Sequence, residues 1–114
     1  PIYYDEVAFH FQDLRLIMTH CGQPWIEETL STISHWEHVY MSCCAVAPKY
    51  WPENFVHFIN TRGKHKMMFG TEYPTIVWER ARREIADLPV RDSVTRLFFK
   101  ENACRAYNFD FDVS

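Results

Sequence analysis

The amino-acid sequence predicts an α/β fold assembled from parallel strand-helix units. Short apolar runs alternate with amphipathic segments of helical period, the pattern of successive βα units. The runs are bounded by Asp, Gly and Pro, and they are apolar on nearly every residue, as strands covered on both faces of a parallel sheet are. The sheet is then either an open doubly wound one or a barrel. Three strands standing alone would leave two open edges and too small a core for nine Phe, six Tyr and four Trp, which disfavours an isolated three-strand sheet.

The elements follow in order. Tyr4, Val7, Ala8 and Phe11 recur at helical spacing, and Gln12-Asp13 breaks the pattern, so a first helix is expected over Tyr3 to Phe11. "LRLIMTH" (14 to 20) is too short and too apolar for a helix and predicts a first strand. Pro24 opens a helix whose stripe is Trp25, Ile26, Thr29, Leu30 and Ile33, ending near Trp36. "HVYMSCC" (38 to 44) predicts the second strand, "AVAPKYW" a loop, and Pro52 the start of a helix carrying Phe55, Val56, Phe58 and Ile59. Gly63 ends that helix, Lys64 to Lys66 form a basic turn, and "KMMFG" predicts the third strand. A helix from about Ile76 to Leu88 is stopped by Pro89, and a last one runs from about Arg91 to Tyr107 before a frayed tail, "NFDFDVS".

At 114 residues the length allows one domain, and 47% apolar content excludes a disordered segment. The net charge is -3 with acidic and basic residues interspersed, so no basic face exists to neutralise phosphates, and nucleic acid is not an expected partner. Cys21, Cys43, Cys44 and Cys104 form no C-x-x-C pair, and we expect reduced, mostly buried thiols. No apolar run of spanning length and no signal or transit peptide occurs, which gives no membrane partner and a cytoplasmic expectation. The chain starts at Pro1 without Met and enters an amphipathic segment at once. We therefore expect residues 1 to 114 to be a single partial domain.

In parallel α/β architectures functional groups gather at the carboxyl ends of the strands, where loops vary while the sheet holds them. The three expected strands end at Thr19-His20-Cys21-Gly22, Ser42-Cys43-Cys44 and Gly70-Thr71-Glu72-Tyr73-Pro74. His20 and Glu72 are the titratable pair at this level. An imidazole can ligate a metal or shuttle a proton near neutral pH, and a carboxylate can ligate a cation or act as base. His10, His35, His38, His57 and His65 fall on helices or at the opposite ends of strands and are expected to be structural. Trp25 and Tyr50 follow strand ends and could line a pocket. There is no H-x-H, no H-E-x-x-H and no phosphate loop, so this chain alone lacks the ligands of a complete metal site.

Four spaced segments resemble the amidohydrolase-related (amidohydrolase 2) family. "FQDLRLIMTHCGQPWIEETL" is similar to the segment in which a strand ends in His-x-Gly before Pro-Trp and an acidic helix. "HVYMSCCAVAPKYWPENFVHFIN" resembles the next unit with its "APKY"-like loop, "KHKMMFGTEYP" the Phe-Gly-Ser/Thr-Asp-Tyr-Pro hallmark, and "FFKENACRAYNF" the closing helix. The likeness covers about residues 5 to 109. It implies the C-terminal part of a (β/α)8 TIM barrel, strands six to eight with their helices, completed by an N-terminal part with further ligands. It implies a divalent metal ion, Zn or Mn, with His20 as metal ligand or acid/base. Glu72 stands where the family has Asp, as metal ligand and catalytic carboxylate.

What the resemblance implies about activity is a metal-dependent hydrolase acting on a small organic acid or acyl compound. Decarboxylation and carbon-carbon cleavage are the family's alternatives, and homo-oligomers are common in it. A different class of reading is a non-catalytic remnant whose open barrel edges bind another polypeptide.

Overall fold

The computed structural model describes residues 1–109, and the tail residues 110 to 114 of the expected fray lie outside them. Three short parallel strands, β1 (Leu16–Met18), β2 (Val39–Cys43) and β3 (Met67–Phe69), lie in the order β1-β2-β3. Leu16 pairs with Val39 and Met18 with Met41, while Met41 pairs with Met67 and Cys43 with Phe69. Each strand is followed by a helix, α2 (Ile26–His35), α3 (Glu53–Asn60) and α4 (Trp78–Ala86), and α1 (Ile2–His10) precedes them. The closing helix is α5 (Asp92–Arg96), a π turn (Leu97–Glu101) and α6 (Asn102–Ala106). The mixed α/β class with parallel pairing is as the sequence predicts. The strands are each two or more residues shorter than expected, because pairing stops where the backbone turns away at both ends.

Side chains alternate across the sheet, and the register puts Leu16, Met18, Val39, Met41, Cys43, Met67 and Phe69 on one face. That face packs with Ala8 of α1, Leu30 and Ile33 of α2, Phe55, Val56, Phe58 and Ile59 of α3, Ile85 of α4, Val94 of α5 and Phe98 in one apolar core. Ile17, Tyr40, Ser42 and Met68 occupy the opposite face and are outside that core. The expectation of strands covered on both faces is met only in part among the described residues, Met68 being buried on that opposite face while Ile17, Tyr40 and Ser42 are half-buried. β2 shows it directly, with Val39, Met41 and Cys43 buried and Tyr40 and Ser42 only half-buried. An all-apolar strand is needed wherever both faces are dry, and the sequence pattern does not say which element dries each face.

Helix α1 also differs in detail. Of its apolar stripe only Ala8 is buried, because Ile2, Tyr3, Phe9 and Val7 surround the helix rather than line one side. It is held to α2's end by Trp36, whose indole N–H donates to Asp5 Oδ1 at 2.7 Å. Lys64 to Lys66 form the expected turn, and Lys66 within it is half-buried. Lys66 Nζ donates to the carbonyls of Ile33 and Trp36, placing a cation at the negative C-terminal end of α2. Burial pulls its pKa down from the ordinary lysine value, with Glu37 acting in the opposite direction.

Two asparagines tie elements that are distant in sequence. Asn102 is fully buried, and its Nδ2 donates to Lys64 O at 2.8 Å and Met67 O at 2.9 Å while Oδ1 accepts from Arg105 at 2.6 Å. It fixes the last helix to the entry of β3. Asn60, at the end of α3, donates to Pro89 O and accepts from Arg91 N at 2.8 Å, which anchors the α4-α5 connection.

Candidate active site

All three strands deliver a sharp turn at their carboxyl ends. After Met18, Thr19 is extended, and His20, Cys21 and Gly22 follow with φ of 58°, 57° and 73°. The turn is closed by Gly22 N–H to Thr19 O and Gln23 N–H to His20 O, both at 3.3 Å. Gly22 is required here twice, since its φ is left-handed and a Cβ would lie 2.2 Å from Thr29 Oγ1. Thr29 cannot yield easily, being fully buried with its hydroxyl donating to Trp25 O at 2.7 Å.

After β2, Cys44 N–H donates to Ser42 O at 3.0 Å in a three-residue turn, and Ala45 is left-handed at φ 66°. The carbonyl of Cys44 faces the buried Cys21 thiol at 4.0 Å, which links the first two strand ends. After β3, Gly70 passes so close to the second strand end that a Cβ would lie 2.9 Å from Ser42 Oγ and 3.2 Å from Cys44 Cβ. Glu72 then turns left-handed at φ 57°, and Thr75 N–H returns to its carbonyl at 2.9 Å.

These turns bring His20 and Glu72 together. His20 Nε2 lies 3.0 Å from Glu72 Oε2, with the two side chains 57% and 48% exposed. An ion pair that open to water contributes only about 0–1 kcal/mol. Each non-glycine residue in the left-handed region costs on the order of 1–3 kcal/mol, and four of them, His20, Cys21, Ala45 and Glu72, sit just past strand ends. The contact does not offset that strain, and strain of this kind gathers where side chains must be aimed for function.

A third donor joins the pair. The ligand atoms of His20, Cys44 and Glu72 all lie within 4.8 Å of one another. With metal-ligand bonds of about 2.0–2.3 Å, the donors of a tetrahedral site are roughly 3.3–3.8 Å apart. A nitrogen, a sulfur and a carboxylate oxygen within 4.8 Å thus fit a divalent ion after side-chain shifts on the order of an ångström. Strand-end reasoning had singled out His20 and Glu72 and passed over Cys44, although "SCC" marks the end of the second strand by the same rule. The vicinal cysteines divide by side-chain direction, Cys43 joining the helix-side core and Cys44 lying outside it. Burial pushes the Cys43 thiol well above its ordinary pKa, and the neighbouring Cys21 thiol adds to that. All four cysteines are free thiols, as expected, with Cys104 the least buried.

The remaining sequence candidates are dispersed. His10 and His35 stack edge-on against Phe9 and Trp36, and His38 packs near Trp36 with its Nε2 buried and unpartnered. Trp25 borders a shallow cleft with Pro24, Pro52 and Asn54, and Tyr50 lies under the Lys49 ammonium at 4.9 Å. Among the described residues no helix is long and apolar enough to cross a membrane.

No curated protein and no solved structure matches the chain. A family model described as amidohydrolase matches residues 1–109, which is the whole of the described chain. With its strand-end His and Glu in contact and a match of that extent, the chain belongs to the amidohydrolase-related family.

Proposed function

We propose that this chain is the C-terminal portion of a metal-dependent, amidohydrolase-type hydrolase acting on a small organic acid or acyl compound. Residues 1 to 114 would supply the last three βα units of a (β/α)8 barrel. Adjacent parallel strands with helices on one face support this, with Ile17, Tyr40, Ser42 and Met68 turned toward what would be the barrel interior. The observation that carries the proposal is the 3.0 Å contact of His20 and Glu72 across strand ends, in the plane where barrel enzymes keep their chemistry.

His20, Glu72 and Cys44 would hold a divalent ion, completed by donors from the rest of the barrel. When bound, such an ion supplies Lewis-acid stabilisation of negative charge developing on a substrate oxygen. In the alternative in which His20 leaves the ion to the other donors, its Nε2 is the proton-moving atom, taking a proton from the attacking water or returning one to the leaving group. Glu72 orients the imidazole, since its carboxylate faces Nε2 at hydrogen-bond distance. The left-handed turns at residues 20 and 72 hold both groups at the mouth without help from a flexible loop.

The test is turnover in the complete enzyme. His20→Ala lowers kcat at least about a hundredfold, the size usual for a general acid/base. Near wild-type turnover would overturn the assignment. Release of carbon dioxide instead of a hydrolysis product would assign the same site to decarboxylation, the family alternative.

A further inference from the structure

We infer that Cys44 is a thiolate ligand of this site, and that the site is consequently selective for zinc over manganese or magnesium. The inference rests on the metal reading above and adds to it the identity of a donor and of the ion.

Cys44 is not carried to the site by chance packing. Its side chain leaves the core to which the adjacent Cys43 belongs, and its Sγ falls in one cluster with His20 and Glu72 donors that come from the two flanking strand ends. β2 is the central strand, so Cys44 is the donor between the other two. Its backbone is fixed on both sides, by the Cys44 N–H to Ser42 O turn and by the contact of its carbonyl with the Cys21 thiol. Gly70 provides the clearance, because any side chain there would press on Cys44 Cβ and Ser42 Oγ. Cys44 is buried at 8% while His20 and Glu72 are exposed, so the thiol forms the floor of a site whose rim is open to solvent. A buried thiol beside an imidazole and a carboxylate, with no disulfide partner, has the donor set of a borderline-soft cation.

The consequence is chemical. Thiolate prefers zinc, whereas imidazole and carboxylate alone discriminate less and carboxylate-rich sets favour manganese or magnesium. Binding deprotonates the thiol, the proton passing to buffer as the metal-sulfur bond forms, so uptake is weaker at lower pH.

The experiment uses the protein expressed from its complete gene, stripped of metal and titrated with Co(II) as a spectroscopic probe. The expected result is one bound cobalt with a thiolate-to-metal charge-transfer band in the near ultraviolet. The band is lost in Cys44→Ser and kept in Cys104→Ser. Zinc competes cobalt off at far lower concentration than manganese does, and Cys44→Ser weakens zinc binding by at least about a hundredfold, the upper end of what loss of an outer-sphere partner costs. Stoichiometric cobalt without the band in the wild type would overturn the thiolate ligand and leave the metal reading standing. Because that measurement is made on the unaltered protein, it holds even where a cysteine variant folds poorly. Absence of bound cobalt altogether would overturn both.

Discussion

Asn102→Ala is the substitution whose cost the structure lets us work through. The Asn102 side chain is fully buried, donates to Lys64 O and Met67 O, and accepts from Arg105. Alanine removes all three bonds and leaves two backbone carbonyls at the entry of β3 without these donors. A buried hydrogen bond is worth a net ~0.5–1.5 kcal/mol, and each group left unpaired costs about 1–3 kcal/mol. Arg105 is partly exposed and recovers water, so the two carbonyls dominate. With one of them partly rehydrated through the cavity, the expected loss is about 3 kcal/mol. The assay is urea unfolding, in which the midpoint falls while the slope stays fixed. Asn102→Asp, close in shape but lacking the amide donors, should be no better than alanine, whereas a purely space-filling role would leave it near wild type. A loss below about 1 kcal/mol for Asn102→Ala would refute the claim that this residue locks the last helix to β3.

Other substitutions probe the site and its supports. Gly22→Ala should lower stability by at least about 1–2 kcal/mol from the left-handed backbone alone, with the Thr29 clash adding to it; an unchanged unfolding midpoint would show that the turn is not as described. Glu72→Asp draws the carboxylate back by one methylene, and since a misplacement of ~1 Å can cost about a hundredfold, kcat in the complete enzyme should fall by that order. Glu84 accepts from Arg80 at 2.8 Å and from Lys49 N–H at 3.2 Å. Burial alone would raise its carboxyl, but these partners outweigh it and hold the pKa below the ordinary value of 4.5. A depressed carboxylate contributes stability that is complete above the unfolded pKa and lost as pH falls through the folded one. The stability difference between wild type and Glu84→Gln should therefore shrink below pH 4.5, as followed by urea midpoints across pH.

Much of this architecture was legible because periodicity survives burial. The stripes Ile26-Thr29-Leu30-Ile33 and Phe55-Val56-Phe58-Ile59 are the buried faces of α2 and α3, and the apolar runs mark three parallel strands. Where the chain turns was less legible. His20, Cys21, Ala45 and Glu72 carry no glycine or asparagine signal for the left-handed region, so the geometry that aims the site follows from packing of neighbouring strand ends. The π turn inside the last helix was also hidden. It shifts Phe98 and Phe99 against Phe69, and Arg96 meets Glu101 five residues on at 2.7 Å, matching the π repeat. Phe98 and Phe99 also meet Trp51 and Arg82, contacts distant in sequence that a local pattern does not reveal. At the site, His20 and Glu72 followed from the strand-end rule, whereas Cys44 required knowing which way each cysteine of a vicinal pair points.

The most direct test is the metal content of the protein as its own cell produces it, measured by elemental mass spectrometry beside the His20→Ala, Glu72→Ala double variant. The proposed function predicts about one divalent ion per chain in the wild type, zinc if Cys44 is a ligand, and little in the variant. A wild-type protein free of metal, or a variant that keeps its full complement, would contradict the proposal that this strand-end cluster is a metal centre.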